Sequence, residues 1–285
     1  MYKTISVLNP SMTTLNNNIH KHNPSADWRF FTRLPDGRAL VSCHARNAVI
    51  VVDGVGFEVD KLAAEFSKPE GIAVQSNGNI LVVDRFNHAI RVFDKDFKEL
   101  RCIATDFQEA GRLNQPVGIA VSPDDDSIWV ADNENHRVLH LDSRGALLSI
   151  LGKGYGSEPG NMFCPCGVAL FTHPLHKHLI IVSEWGGGRV QVFRADGSIF
   201  AVYGGVQHAH HVAVDAAGCV YVTEYATRKI KQFHLDGELV GDGSWGASAV
   251  SLVVDGYGLE TVVTPHDVVT VLRPEKKRRL SEGKK

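Results

Sequence analysis

The chain has 285 residues, 44% of them hydrophobic, enough for one large core or two ordinary ones. Lys plus Arg number 30 against 32 Asp plus Glu, and a formal charge of −2 excludes a global field that would call for a polyanionic partner. Five cysteines without framework spacing, no signal-like start and no run near the ~20 apolar residues of a membrane helix point to a reduced cytoplasmic setting.

The first 27 residues read as a strand, Thr4 to Leu8, followed by a polar segment, Ser11 to Asn23. A first unit comprises Trp28 to Leu34, Arg38 to Cys43, Ala48 to Asp53 and Phe57 to Phe66, the last open to partial helix. The second unit is the clearest. Gly71-Ile72-Ala73-Val74, Ile80-Leu81-Val82-Val83, Ala89-Ile90-Arg91-Val92-Phe93 and Glu99-Leu100-Arg101-Cys102-Ile103 are separated by Ser76-Asn77-Gly78, Asp84 to His88 and Asp94-Lys95-Asp96. Short β-branched runs bounded by Gly, Asn and Asp read as strands joined by tight hairpins.

The unit recurs at Val117 to Val121 with Ser127 to Asp132 and Asn135 to Val138. It recurs again at Gly167 to Leu170 with Leu179 to Val182 and Gly188 to Phe193, where Phe171 to His178 is inserted as a loop. A further copy is His211 to Val214, Val220 to Glu224 and Arg228 to Phe233. The acid after each second strand, Asp84, Asp132, Glu184 and Glu224, recurs at intervals of 48, 52 and 40, and one more repeat each way lands on Cys43 and Thr264. Four strands in about forty residues, repeated, is the pattern of a β-propeller blade. The expectation is one all-β, six-bladed β-propeller over residues 28–273. Its sixth unit supplies only Ser251 to Val254, Glu260 to Val263 and Val268 to Leu272. Thr4 to Leu8 is therefore expected to close the ring, since closure covers an unpaired sheet edge. Residues 274–285 carry a net charge of +4 and read as a solvated tail, with nuclear import as the alternative.

Asn87-His88-Ala89-Ile90 and Asn135-His136-Arg137-Val138, with the Gly-Ile-Ala-Val and Val-Ala-Asp strands, resemble the NHL-repeat family of six-bladed propellers. The segment Gly152 to Phe163 looks like the family's linker between blades. The first and last units depart from the pattern, lacking both the glycine strand and the acid. A fold of this kind hosts many functions, so the resemblance constrains architecture more than chemistry.

One branch resembling this family, the peptidyl-hydroxyglycine amidating lyases, places zinc-binding histidines just before the strand glycine. The residues there are Arg29, Glu70, Val117, Cys166, His210 and Val250, so the lyase set is absent and its activity does not carry over. Cys164, Cys166, His208 and His210 remain a candidate zinc set, because residues two apart on an extended strand share a side. Packed residues of the mouth are the plainer reading, and no cofactor is required. His173, His176 and His178 read as a surface loop. The recurring acid reads as a turn-stabilising acceptor rather than a general base. No nucleophile elbow or phosphate-cradling loop is present.

Some propellers of the family the chain resembles bind single-stranded RNA on a positive face. Here the six turns between second and third strands sum to zero formal charge, which argues against RNA. Exposed aromatics and arginines suit a protein or peptide partner better. The sequence thus points to a non-enzymatic binding scaffold using Phe86, Arg137, Trp185, Arg189, Tyr225 and Arg228. The alternatives are a metal-dependent lyase or hydrolase and an RNA-binding propeller.

Overall fold

A computed structural model describes residues 27–54, 57–103, 110–175, 177–244, 250–255, 258–263 and 268–270. Blade one holds β1 (Trp28–Arg33), β2 (Ala39–Cys43), β3 (Ala48–Val52) and β4 (Glu58–Lys61). Blade two holds β5 (Pro69–Val74), β6 (Ile80–Asp84), β7 (Ala89–Phe93) and β8 (Glu99–Ile103). Blade three is β9 (Pro116–Val121), β10 (Ile128–Asp132), β11 (Arg137–Leu141) and β12 (Leu147–Leu151). Blade four is β13 (Pro165–His173), β14 (Lys177–Glu184), β15 (Arg189–Arg194) and β16 (Ile199–Tyr203). Blade five is β17 (Ala209–Val214), β18 (Val220–Glu224), β19 (Lys229–Phe233) and β20 (Leu239–Ser244). A last sheet joins β21 (Ser251–Asp255), β22 (Gly258–Val263) and β23 (Val268–Thr270).

Every sheet is an antiparallel meander in chain order. The first strands stand side by side around an axis, β1 touching β5, then β9, β13, β17 and β21 in succession, with β21 returning to β1. This is a β-propeller. Among the described residues the expected six complete blades are corrected to five four-stranded blades and one three-stranded sheet. Thr4 to Leu8, the proposed closing strand, and the basic tail lie outside the described residues. Of the insertion in blade four, Phe171 to His173 and Lys177 to His178 are strand rather than the expected loop. They lengthen the hairpin, pairing Phe171 with Leu179 and His173 with Lys177. Among the described residues no helix is long and apolar enough to cross a membrane.

The core lies between blades. On β6, Leu81 and Val83 pack against Ile119, Ile128 and Val130 of blade three, while Ile80 and Val82 face Leu40, Val49 and Val51 of blade one. A strand buried on both faces needs a continuous apolar run, and each such side chain contributes about 1.5–3 kcal/mol. The inner strands approach closely where they carry glycine. A Cβ on Gly71 would lie 2.7 Å from the Val117 carbonyl oxygen, and one on Gly167 would lie 2.8 Å from the Val212 nitrogen. At the matching positions of β1 and β17 stand Phe30 and His211, whose rings meet edge to face at 5.0 Å.

Candidate functional site

The recurring acid builds the frame that holds the mouth. Asp84 is buried. Its Oδ1 accepts the Ser67 N–H at 2.7 Å, and its Oδ2 accepts Arg91 Nε at 2.6 Å and Asn87 Nδ2 at 2.8 Å. Asp132 repeats this with the Asn114 N–H at 2.7 Å, Arg137 Nε at 2.7 Å and Asn135 Nδ2 at 2.8 Å. Glu184 takes the Phe163 N–H at 2.8 Å and Arg189 Nε at 2.9 Å. Glu224 takes the Gln207 N–H at 2.6 Å and Lys231 Nζ at 2.9 Å. Each cation also reaches a carbonyl of the linker entering its own blade: Glu65 for Arg91, Ala110 for Arg137, Asn161 for Arg189 and Gly205 for Lys231. The acid therefore fastens the incoming linker to the second and third strands. His88 and His136 reach forward, each Nδ1 accepting the N–H of the residue before the next inner strand, Gln115 at 3.1 Å and Cys164 at 3.2 Å.

Two registers of side chains converge above this frame. The residue after each second-strand end contributes His44, Arg85, Asn133, Trp185 and Tyr225. The residue entering each inner strand contributes Arg29, Glu70, Val117, Cys166 and His210. All of these but His44 and Glu70 line a cavity of about 550 Å3. Arg29 and Arg85 line one side, Asn133 and Glu134 the next, and Trp185, His210 and Tyr225 the side opposite the arginines in ring order.

Below the arginine wall lies Glu70, fully buried. Its Oε1 is 3.0 Å from His44 Nε2, off the direction of a good hydrogen bond, and accepts Arg85 Nη1 at 3.2 Å. Its Oε2 has no partner among the described residues. Burial pushes the Glu70 carboxyl up, but the His44 contact and the charges around it outweigh burial and hold it at about 2. Arg29 is held by Asp27 at 3.0 Å, and Arg85 Nη2 by Gln115 at 3.3 Å. Burial lowers the pKa of His210, whose Nδ1 lies 2.7 Å from the Val250 carbonyl oxygen; that partner makes Nδ1 the protonated nitrogen.

The NHL repeat family matches residues 66–93 and 113–141, which run from the linker into the third strand of blades two and three. These two segments match the NHL repeat. The rat peptidylglycine alpha-amidating monooxygenase is 26% identical over 161 residues, 53% of this chain but only 16% of that protein's length. The human NHL repeat-containing protein 2 is 29% identical over 111 residues, 35% of this chain and 14% of its own. Among solved structures, a gluconolactonase from Xanthomonas campestris superposes with a TM-score of 0.71 at 18% identity, covering 92% of this chain and 89% of that one. A streptogramin B lyase gives 0.64 at 16% identity, covering 90% and 96%. At these identities the likeness is one of fold.

In this propeller Cys164, Cys166, His208 and His210 form no group that could hold a metal ion. Among the described residues no three His, Cys, Asp or Glu groups converge to hold a metal ion. Cys164 and His208 have left-handed backbones, φ 51° and 50°, so strand alternation does not run from them to Cys166 and His210. His208 lies flat on Trp185 with centroids 4.7 Å apart. Cys166 is buried, its Sγ accepting Asn133 Nδ2 at 3.5 Å, and burial pushes its thiol up.

Of the partner contacts expected from sequence, Trp185 and Tyr225 line the cavity. Arg137 and Arg189 are instead turned into the acid frame, and Arg189 is buried. Phe86 is exposed, its ring carrying the Arg85 guanidinium at 5.4 Å, while Arg228 is exposed on a left-handed backbone; neither lines the cavity. Sequence reasoning missed Arg29, Arg85, Asn133 and Glu134 as wall residues. The signal was present: the position one after the recurring acid supplies Arg85, Asn133, Trp185 and Tyr225 alike.

Proposed function

We propose that this NHL propeller is a binding protein whose channel mouth receives a peptide segment of a partner protein. The observation that carries this reading is the cavity of about 550 Å3 with an arginine wall facing an aromatic one. Aromatic and arginine side chains dominate the energetics of protein interfaces, and a concave mouth desolvates them together. The turns of the mouth carry no net formal charge, which supports a peptide over RNA. In the same reading Thr4 to Leu8 completes the sheet of β21–β23, so removing residues 1–9 should lower the melting temperature.

Affinity purification from the native cell, wild type beside Tyr225→Ala and Trp185→Ala, tests the proposal. Partners recovered with wild type and depleted by both variants, at unchanged circular dichroism, are the expected result. Equal recovery with all three would remove it. An interface aromatic contributes about 2 kcal/mol or more, so the depletion should exceed tenfold.

A further inference from the structure

The arginine wall has more donors than it uses. A guanidinium carries five N–H donors. Arg29 donates to Asp27 through Nη2, and Arg85 donates to Glu70 and Gln115 through Nη1 and Nη2. The Nε of each is buried without a partner among the described residues and out of a guest's reach, which leaves the unused Nη hydrogens to meet one. What this wall lacks is acceptors.

It does not lack negative charge. Asp27 and Glu70 already balance Arg29 and Arg85, and Glu134 adds an exposed carboxylate on the adjoining wall. A carboxylate guest would bring a further negative charge to a group whose positive charges are already matched, in a partly desolvated space where repulsion is poorly screened. A cationic guest would meet two guanidiniums. The walls suit a neutral guest that accepts from the arginines and donates to Glu134. Trp185 and Tyr225, opposite, favour a planar one. A primary carboxamide has one carbonyl acceptor, two N–H donors, a planar frame and no charge.

We propose that the cavity recognises the carboxamide side chain of a glutamine or asparagine in the bound peptide, its carbonyl on Arg29 and Arg85 and its N–H groups on Glu134. This rests on the mouth-binding reading above. The deciding feature is that the guanidinium charges are matched while their donors are not.

A phage-displayed random peptide library panned on the full chain tests it. Selected peptides are measured by fluorescence polarisation against wild type, Trp185→Ala, Arg29→Gln and Glu134→Lys. The expected peptides share a Gln or Asn at one position and lose affinity with Trp185→Ala and Arg29→Gln. Replacing that Gln by Glu should weaken binding about tenfold or more, since it adds charge and removes two donors. Glu134→Lys should narrow or reverse that preference, and Arg29→Gln, at a partly exposed site, tests the wall without stripping Glu70 of Arg85. Peptides that depend on Trp185 but share an acidic residue, or no residue, overturn the carboxamide and leave the mouth reading standing. Peptides indifferent to Trp185 overturn both.

Discussion

Gly71 of blade two faces Val117 of blade three so closely that an added methyl group would lie 2.7 Å from the Val117 carbonyl oxygen. Backbone cannot yield as a side-chain tip can. Gly71→Ala should therefore destabilise the fold by about 1–3 kcal/mol, read from denaturant midpoints. Gly241→Ala, where a methyl meets nothing within 4 Å, should stay within about 0.5 kcal/mol.

Asp132 is buried and accepts from a backbone N–H, an amide and a guanidinium at 2.7, 2.8 and 2.7 Å. Asp132→Ala strands all three donors and should cost about 3–5 kcal/mol in chemical denaturation. A loss below about 1 kcal/mol would mean that the acid is no more than a surface partner.

Stability should fall in acid in two stages. Burial and the neighbouring His210 hold the His211 pKa at about 3 against an ordinary 6.5, so the unfolded chain binds the extra proton as pH drops below 6.5. Glu70 is held at about 2 against an ordinary 4.5; its contribution is complete above 4.5 and is lost as pH falls from there towards 2. Melting curves from pH 7 to 3 should show both limbs. His211→Gln should make the upper one shallower, leaving the share of His210, without moving the lower.

The turns of the mouth carry no net formal charge, whereas residues 274–285 carry +4. A chain ending at residue 273 should bind single-stranded RNA negligibly at physiological salt, and binding by the full chain should fall steeply with salt and ignore sequence. Tight, sequence-selective binding by the shortened chain, in a filter or polarisation assay, would contradict the peptide reading.

The strands were legible because blades bury both faces, so runs such as Ile80 to Val83 are uniformly apolar and the intervening turns stand out. The glycine and acid positions were legible because each serves a contact repeated from blade to blade. The cavity was not. Arg29 and Tyr225 share it through ring closure, and sequence spacing encodes neighbours along the chain, not residues facing each other across an axis. Arg137 and Arg189 misled for a related reason. A cation beside a turn reads as exposed until the acid that captures it, Asp132 or Glu184, is seen to be buried. Cys164 and His208 misled because a left-handed residue before the strand breaks the alternation that grouped them with Cys166 and His210.

Each acid frame draws its parts from one contiguous stretch, Glu65 to Arg91 for Asp84 and Ala110 to Arg137 for Asp132. The matched repeats, 66–93 and 113–141, hold the acid with its backbone, amide and guanidinium donors, and leave out the linker carbonyls of Glu65 and Ala110 and the fourth strand. A gene duplication cut at those limits would copy the acid and its donors together with the histidine that hooks the next copy, as His88 hooks Gln115. The outer strand, left out of the copied cassette, is then free to drift, and it is the strand on which Leu100, Leu148, Ile150 and Leu239 sit exposed.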